Sequence, residues 1–125
     1  MEESYEVAER AYASGVEAIV NICTDIETLD KGLELQDKYS YVYNVASTTP
    51  HDVDTHGQKE WDRFSQAAKE GKLVAVGETG LDFFYEHGPR EQQQELLMRY
   101  ADLARETKLP LVIHCRAAFE AFYDI

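Results

Sequence analysis

The sequence predicts an α/β fold in which four parallel strands alternate with helices, as in part of a (β/α)8 barrel. Segments with a helical repeat of apolar residues alternate along the chain with short apolar runs. These runs are apolar throughout, as parallel strands covered by helices on both faces are. Four such units in 125 residues match half of a barrel, which needs ~250 residues.

Each predicted element rests on its own pattern. The helices show apolar residues at three- and four-residue spacing, with glycine or proline near several of their ends. Thr24 and Glu27 have the spacing of a capping box, so the second helix should begin there. The predicted strands cover residues 17–24, 41–48, 72–79 and 109–116. The first predicted helix covers residues 4–14 before Gly15, with Val7, Ala8, Ala11 and Tyr12 on one face, and the second runs to residue 38. A third helix contains Trp61, Phe64, Ala67 and Ala68 and ends at Gly71, a fourth starts at Pro89 with Leu96, Leu97, Tyr100, Leu103 and Ala104 inward, and a last helix begins near Ala117.

The chain is interpreted as a single domain over residues 1–125. It opens on a helix with no strand before it, and its last apolar repeat, "AAFEAFYDI", has no helix-ending residue after it. We therefore expect an internal fragment of a barrel that lacks the first strand and the later units. Right-handed crossovers should place the four strands side by side in sequence order.

Composition limits the function classes. The net charge of -12 disfavours broad electrostatic capture of nucleic acid, which needs a basic face. A phosphate held at one site is still allowed, because bound divalent cations outweigh the local protein charge. No apolar run approaches the ~20 residues that span a bilayer, so no membrane partner is expected. An acidic N-terminus and two widely separated cysteines favour a cytoplasmic location.

Two residues that can bind a metal stand where predicted strands end. Glu78 follows the apolar run "LVAVG", and His114 follows "LPLVI". In parallel α/β folds the functional residues gather at the carboxyl ends of the strands. Carboxylate and imidazole are ligands of divalent first-row metals. A cap or salt bridge for Glu78, and a core histidine for His114, are the alternatives that the pattern leaves open.

These two segments resemble a known family. "VGETGLDFFY", followed by "PREQQQELLMRYADLARETKLPLVIHCRAA", is similar to the central signature of TatD-type metal-dependent deoxyribonucleases, which are (β/α)8 barrels of the amidohydrolase superfamily. "GVEAIVNICTDIETLDKGLEL" is similar to that family's second βα unit. The resemblance therefore covers most of the chain.

The resemblance implies a binuclear metal site and roles for particular residues. Glu78 would bind both divalent ions (Mg²⁺, Mn²⁺ or Zn²⁺), and His114 would bind one. Arg116 would contact substrate phosphate, for which its planar fork is suited, or would hold the site in shape. Asp82 would hold the turn or the ligands in place, and Gln93 would be a buried hydrogen-bonding group. The family's catalytic aspartate, the expected general base, would lie beyond Ile125, so no catalytic residue is identified in this chain.

The sequence also departs from the family's pattern. The H-x-H metal motif of the first strand has no counterpart, and Thr49 stands where the family shows a histidine before the pair Pro50–His51. His51 is interpreted as an exposed loop histidine, with a position facing the site as the alternative. His56 and His87 are assigned no role. Cys23 and Cys115 are interpreted as small buried apolar groups, with Cys115 on the opposite face of its strand from His114.

The predicted function is phosphodiester hydrolysis of DNA, with two metal ions activating water. One alternative is another amidohydrolase-like enzyme that acts on amides or esters. The other is a truncated fragment that does not catalyse. Half a barrel would also leave two open sheet edges and an uncovered apolar inner face, which predict self-association or a place in a longer chain.

Overall fold

The computed structural model describes residues 2–53, 57–84 and 88–125. Helices and strands alternate through these ranges. In chain order they are α1 (Glu2–Ala13), β1 (Ile19–Cys23), α2 (Ile26–Lys38), β2 (Val42–Ala46), α3 (Gly57–Lys69), β3 (Ala75–Asp82), α4 (Arg90–Thr107), β4 (Leu111–Arg116) and α5 (Phe119–Tyr123).

The four strands form one parallel sheet in the order β1-β2-β3-β4. This confirms the predicted α/β fold and the predicted order of its strands. Parallel neighbours in sequence order, each joined by a helix, bring the carboxyl ends of all four strands to the same end of the sheet. Residues at the ends of β3 and β4 are therefore placed side by side.

The main core lies between the helices and one face of the sheet. Phe64 of α3 and Tyr100 of α4 are fully buried there. The predicted inward face of α4 is confirmed, because all five of its residues are buried. No helix in the described part of the chain is long and apolar enough to cross a bilayer.

The opposite face of β1 and β2 is open to solvent. Val20 is 55% exposed, Ile22 40% and Tyr43 40%, and Val20 pairs with Tyr43 across the two strands. The exposure of these side chains agrees with the expectation that half a barrel leaves the inner face of its sheet uncovered. Asn21 and Asn44, on the other face, hydrogen-bond to each other, and Asn44 also bonds α2.

Three local predictions need correction. The cap of α2 is Asp25 rather than Thr24, because the Asp25 carboxylate accepts from the Thr28 N–H and the Thr28 hydroxyl accepts from the Asp25 N–H. The apolar face predicted for α1 holds Val7, Ala8, Ala11 and Tyr12, but only Ala8 of these is buried. Val7 is 47% exposed and lines an open groove of about 320 Å³ beside β1. The last helix begins at Phe119, two residues later than predicted.

Candidate metal centre

An irregularity in β3 determines which way Glu78 points. Val76 pairs with Leu111 and Thr79 pairs with Ile113, so β3 contains one residue more than β4 over this stretch. Side chains alternate between the two faces along a regular strand, which would put Glu78 on the same side as Val76. The extra residue forms a bulge that turns the following side chains over.

The positions of two apolar residues show this reversal. Val76 packs in the main core beneath the helices, and Leu81 packs against Leu97 of α4. They are five residues apart, an odd number, and yet they face the same side. Glu78 and Asp82 consequently lie on the opposite, inner side of the sheet.

Strand β3 also runs further than predicted. It continues past Glu78 to Asp82, which pairs with Arg116 at the end of β4. Gly80 allows this extension because it pairs with His114 at very close range. A Cβ atom at Gly80, with φ +152°, would lie only 1.8 Å from the His114 carbonyl oxygen. The residues at the two strand ends are therefore Asp82 and Arg116, whereas Glu78 and His114 lie within the strands.

His114 lies between two carboxylates. Its Nδ1 atom is 3.0 Å from Glu78 Oε1, and its Nε2 atom is 2.8 Å from Asp82 Oδ2. The exposed fractions of these side chains differ: 25% for His114, 39% for Glu78 and 1% for Asp82. The structure thus brings together the two predicted ligands and places Asp82 behind them, where it orients the imidazole.

Arg116 binds the same carboxylate oxygen. Its Nε and Nη2 atoms donate to Asp82 Oδ2 at 2.9 and 2.7 Å. Burial raises the pKa of the Asp82 carboxyl, but hydrogen bonds from Arg116, His114 and the Phe84 N–H outweigh burial and hold that pKa well below its usual range. Asp82 is therefore an anion that is charge-balanced by its neighbours.

The backbone of Asp82 is held by Gln93 of α4. The Gln93 side chain accepts from the Asp82 N–H at 2.8 Å and donates to the Asp82 and Gly88 carbonyl oxygens at 3.2 and 2.7 Å. Gln93 is 1% exposed. This fits its prediction as a buried hydrogen-bonding group, and it shows how α4 fixes the end of β3.

His51 faces the centre, which was the alternative to its interpretation as an exposed loop histidine. Its Nε2 atom is 3.3 Å from Asp82 Oδ2, and its ring lies 6.1 Å from that of His114. The loop after β2 turns back at this point, with the Asp52 N–H donating to the Thr49 carbonyl oxygen and the Thr49 hydroxyl donating to Asp52. The interpretation of His51 as an exposed loop histidine is therefore wrong, and its place beside Pro50 after a strand was the available signal.

The donors gathered here suit a divalent metal. One atom from each of His51, Asp82 and His114 lies within 4.8 Å of the other two, and Glu78 adjoins His114. Imidazole nitrogens and carboxylate oxygens are the ligands of Zn²⁺ and of other first-row divalent ions. A neutral His114 that donates through Nε2 to Asp82 presents a bare Nδ1 lone pair to the Glu78 oxygen. Two lone pairs at 3.0 Å repel unless a cation, either a proton or a metal ion, lies between them.

The structure also bears on the predictions for the two cysteines. Cys23 is fully buried, and Cys115 packs with the apolar residues against α4, on the face away from His114. Burial raises the pKa of the Cys23 thiol to about 11, with Asp25 adding to the effect. His56 and His87 lie outside the described residues. The metal-binding roles of Glu78 and His114, and the phosphate role of Arg116, stay predictions.

Comparison with protein families decides the relationship of the chain. The family model described as "TatD related DNase" matches residues 1–125. The chain belongs to this family. The resemblance found in the sequence is thereby confirmed over its whole length.

Relatives and a solved structure agree with that membership. A protein of Bacillus subtilis named "Uncharacterized metal-dependent hydrolase YabD" is 33% identical, over 92% of this chain and 45% of its own length. A "3'-5' ssDNA/RNA exonuclease TatD" of Salmonella typhimurium is 30% identical, over 94% of this chain and 45% of its own length. The crystal structure of YJJV, a TatD homologue from Escherichia coli, superposes with a TM-score of 0.84 at 29% identity, over 97% of this chain and 48% of that one.

The chain spans about half the length of the curated relatives it matches. Its four βα units accordingly match about half of the TatD barrel, which confirms the predicted partial (β/α)8 architecture.

Proposed function

We propose that this TatD-family protein is a metal-dependent phosphodiester hydrolase acting on DNA, with Glu78 and His114 as metal ligands. The observation that carries the proposal is the line of contacts from Glu78 through His114 to Asp82, toward the carboxyl ends of β3 and β4. The names of the relatives, a metal-dependent hydrolase and a nuclease of single-stranded DNA and RNA, support the same class.

We assign different roles to the residues around the centre. Glu78 and His114 would hold the metal, and His51 lies beside Asp82 on the facing loop. When bound, two divalent ions would polarise the phosphodiester and lower the pKa of a water molecule. Asp82 accepts from His114 Nε2 and thereby fixes the ring with Nδ1 toward Glu78. We assign no general base among the described residues.

Arg116 is suited to the phosphate. Its side chain is 43% exposed while two of its nitrogens are fixed on Asp82. A guanidinium held in this way loses little side-chain freedom on meeting a phosphate oxygen. Positive charge at this edge also offsets the overall negative charge of the chain where substrate would approach.

The metal centre is tested by calorimetric titration of the 125-residue chain with Mn²⁺. We expect Glu78→Gln and His114→Ala to weaken binding by tenfold or more, about 1.4 kcal/mol. Glu95→Gln, the same change of charge at an exposed position on α4, should bind like the unchanged protein. Equal Mn²⁺ affinity in all four proteins would refute the assignment.

The reaction class is tested with three substrates under Mn²⁺. The described donors are fewer than two metal sites of about three protein ligands each require, so turnover should be slow. We expect slow cleavage of a single-stranded DNA oligonucleotide, lost in Glu78→Gln and kept in Glu95→Gln. Metal-dependent cleavage of an ester or an amide without cleavage of DNA would favour the alternative hydrolase. Cleavage of none, with Mn²⁺ bound, would favour a fragment that does not catalyse.

A further inference from the structure

Phe84 presents an exposed ring beside the candidate metal centre. The residue is 61% exposed, although it lies only two residues beyond the end of β3. Its backbone N–H donates to Asp82 Oδ1 at 3.1 Å, and the other oxygen of that carboxylate accepts from His114. The position of Phe84 is therefore tied to the same group that orients the metal ligand.

A guanidinium group lies between this ring and the centre. Arg116 Cζ is 5.2 Å from the centroid of the Phe84 ring, within the range of a cation–π contact, while Nη2 of the same side chain is 2.7 Å from Asp82 Oδ2. A second such pair, with Arg90 Cζ 4.3 Å from the centroid of Phe83, lies on the helix side of the sheet, where Phe83 packs with Leu81 and Leu97. The Phe84–Arg116 pair is therefore the one that adjoins the centre.

Exposure alone would not distinguish Phe84. Tyr123 is 77% exposed, but it packs edge-on against Phe122 on the short helix α5. Phe84 differs because its backbone is fixed by the carboxylate of the centre and its ring adjoins the arginine assigned to phosphate. An apolar ring held in water beside a phosphate-binding group matches the way in which nucleic-acid-binding proteins combine aromatic stacking with backbone contacts.

We propose that Phe84 and Arg116 form a subsite for one unpaired nucleobase and its phosphate, an inference that rests on the proposed function. The base stacks on the Phe84 ring, and the guanidinium meets the adjoining phosphate. A base within a duplex has both faces covered by its neighbours, so only a single strand or a frayed end fills this subsite. Stacking needs no 2'-hydroxyl, and DNA and RNA therefore fill it alike.

Fluorescence anisotropy tests the subsite independently of turnover. The 125-residue chain with Mn²⁺ is titrated against four labelled probes: a single-stranded DNA hexamer, its RNA counterpart, the DNA duplex and a DNA hexamer lacking bases. We expect the hexamers with bases to bind more tightly than the duplex and the abasic strand. Phe84→Ala should weaken binding of the base-bearing strands by about 5- to 140-fold, the range for stacking of one base. It should leave the abasic strand unaffected.

Two variants control the result. Phe84→Trp keeps a stacking surface and should retain binding, while Tyr123→Ala removes an exposed ring elsewhere and should change nothing. The salt dependence should be the same in Phe84→Ala as in the unchanged chain, because no phosphate contact is lost. A loss confined to DNA or to RNA would contradict the expectation that both polymers fill the subsite alike.

The proposal is overturned if base-bearing and abasic strands bind equally, if Phe84→Ala behaves like Tyr123→Ala, or if no strand binds. The Mn²⁺ titration described above decides the metal centre separately. A chain that binds Mn²⁺ through Glu78 and shows no preference for bases would keep the proposed function and lose the subsite.

Discussion

Asp82 Oδ2 lies 2.8 Å from His114 Nε2, and this contact leaves the other ring nitrogen to face Glu78. A buried carboxylate that accepts from one nitrogen of a histidine fixes which tautomer is present, and so fixes where its lone pair points. The orientation of His114 is therefore set from behind, by a residue that is 1% exposed.

Asp82→Asn should disturb this orientation without removing a proposed ligand. The amide is the same size but carries no charge, so Arg116 loses its anion and His114 loses its strongest acceptor. We expect Mn²⁺ affinity to fall about 10- to 100-fold, the usual effect of removing a group that orients a ligand. Nitrogen NMR of the imidazole should show a changed tautomer population. Asp37→Asn, at an exposed position on α2, serves as the control. Unchanged affinity and an unchanged tautomer would exclude the orienting role.

Gly80→Ala should strongly destabilise the fold. The added Cβ would meet the His114 carbonyl oxygen at 1.8 Å, and neither can move away easily because the two residues pair between β3 and β4. We expect a loss of more than about 3 kcal/mol in the free energy of unfolding, measured in urea. Gly71→Ala separates the clash from backbone strain, because Gly71 has φ +76° with nothing within 4 Å. That control should cost only about 1–2 kcal/mol, and equal losses in the two variants would contradict the steric explanation.

Stability should fall in alkali because Tyr100 is buried. Its hydroxyl lies 2.9 Å from Thr48 Oγ1, and burial raises its pKa to about 12, with the Thr48 hydrogen bond partly opposing the effect. The unfolded chain ionises at about pH 10, so the folded state retains its proton over the interval between the two values. The contribution is complete below pH 10 and is lost as the pH rises toward 12, by roughly 2–3 kcal/mol.

Tyr100→Phe checks this dependence. The variant should be less stable at pH 8, by about 1 kcal/mol for the lost hydrogen bond, and should lose less stability between pH 10 and 12. Tyr123→Phe, at an exposed ring, should follow the unchanged protein. Parallel pH profiles for the three proteins would show that the Tyr100 hydroxyl is not the group responsible.

The open face of β1 and β2 should make the isolated 125-residue chain associate with a second copy. Val20, Ile22 and Tyr43 are each at least 40% exposed on one side of the sheet, and β1 and β4 present its two edges among the described strands. Burying one such side chain contributes about 1.5–3 kcal/mol, against net stabilities of about 5–15 kcal/mol.

Sedimentation at increasing concentration measures this association. Val20→Thr with Ile22→Thr should shift the chain toward the monomer, whereas Val7→Thr, on α1 away from this face, should leave it unchanged. A cooperative, well-folded monomer at low micromolar concentration would show that the face needs no cover.

The architecture could be predicted because its signals are local and repeated. The apolar face of α4 and the strand order of the sheet follow from spacing and from the alternation of elements. Glu78 and His114 could be selected because each stands beside a buried strand. What brings them together could not be predicted, since "GETG" has the composition of a turn while its glycines in fact allow two strands to approach.

The contacts that support the centre could not be predicted from the spacing of residues either. Gln93 and Asp82 are joined across α4 and β3, and His51 reaches Asp82 from the loop after β2. Such contacts depend on the path of the chain between elements, which no periodicity describes. The exposure of Val7 has a related reason: an apolar helical repeat shows which residues share a face, but it does not show how much of that face is covered.

The extra residue between Val76 and Thr79 has a consequence for how this segment can evolve. Substitutions between Val76 and Thr79 leave the alternation of side chains along the strand intact. Insertion or deletion of a single residue there would move each side chain from that point to Asp82 to the opposite face of the sheet. Length changes of two residues would preserve the arrangement. Divergence in this stretch is therefore expected to proceed through replacement of side chains or through paired insertions and deletions, so that residue count is inherited more strictly than residue identity.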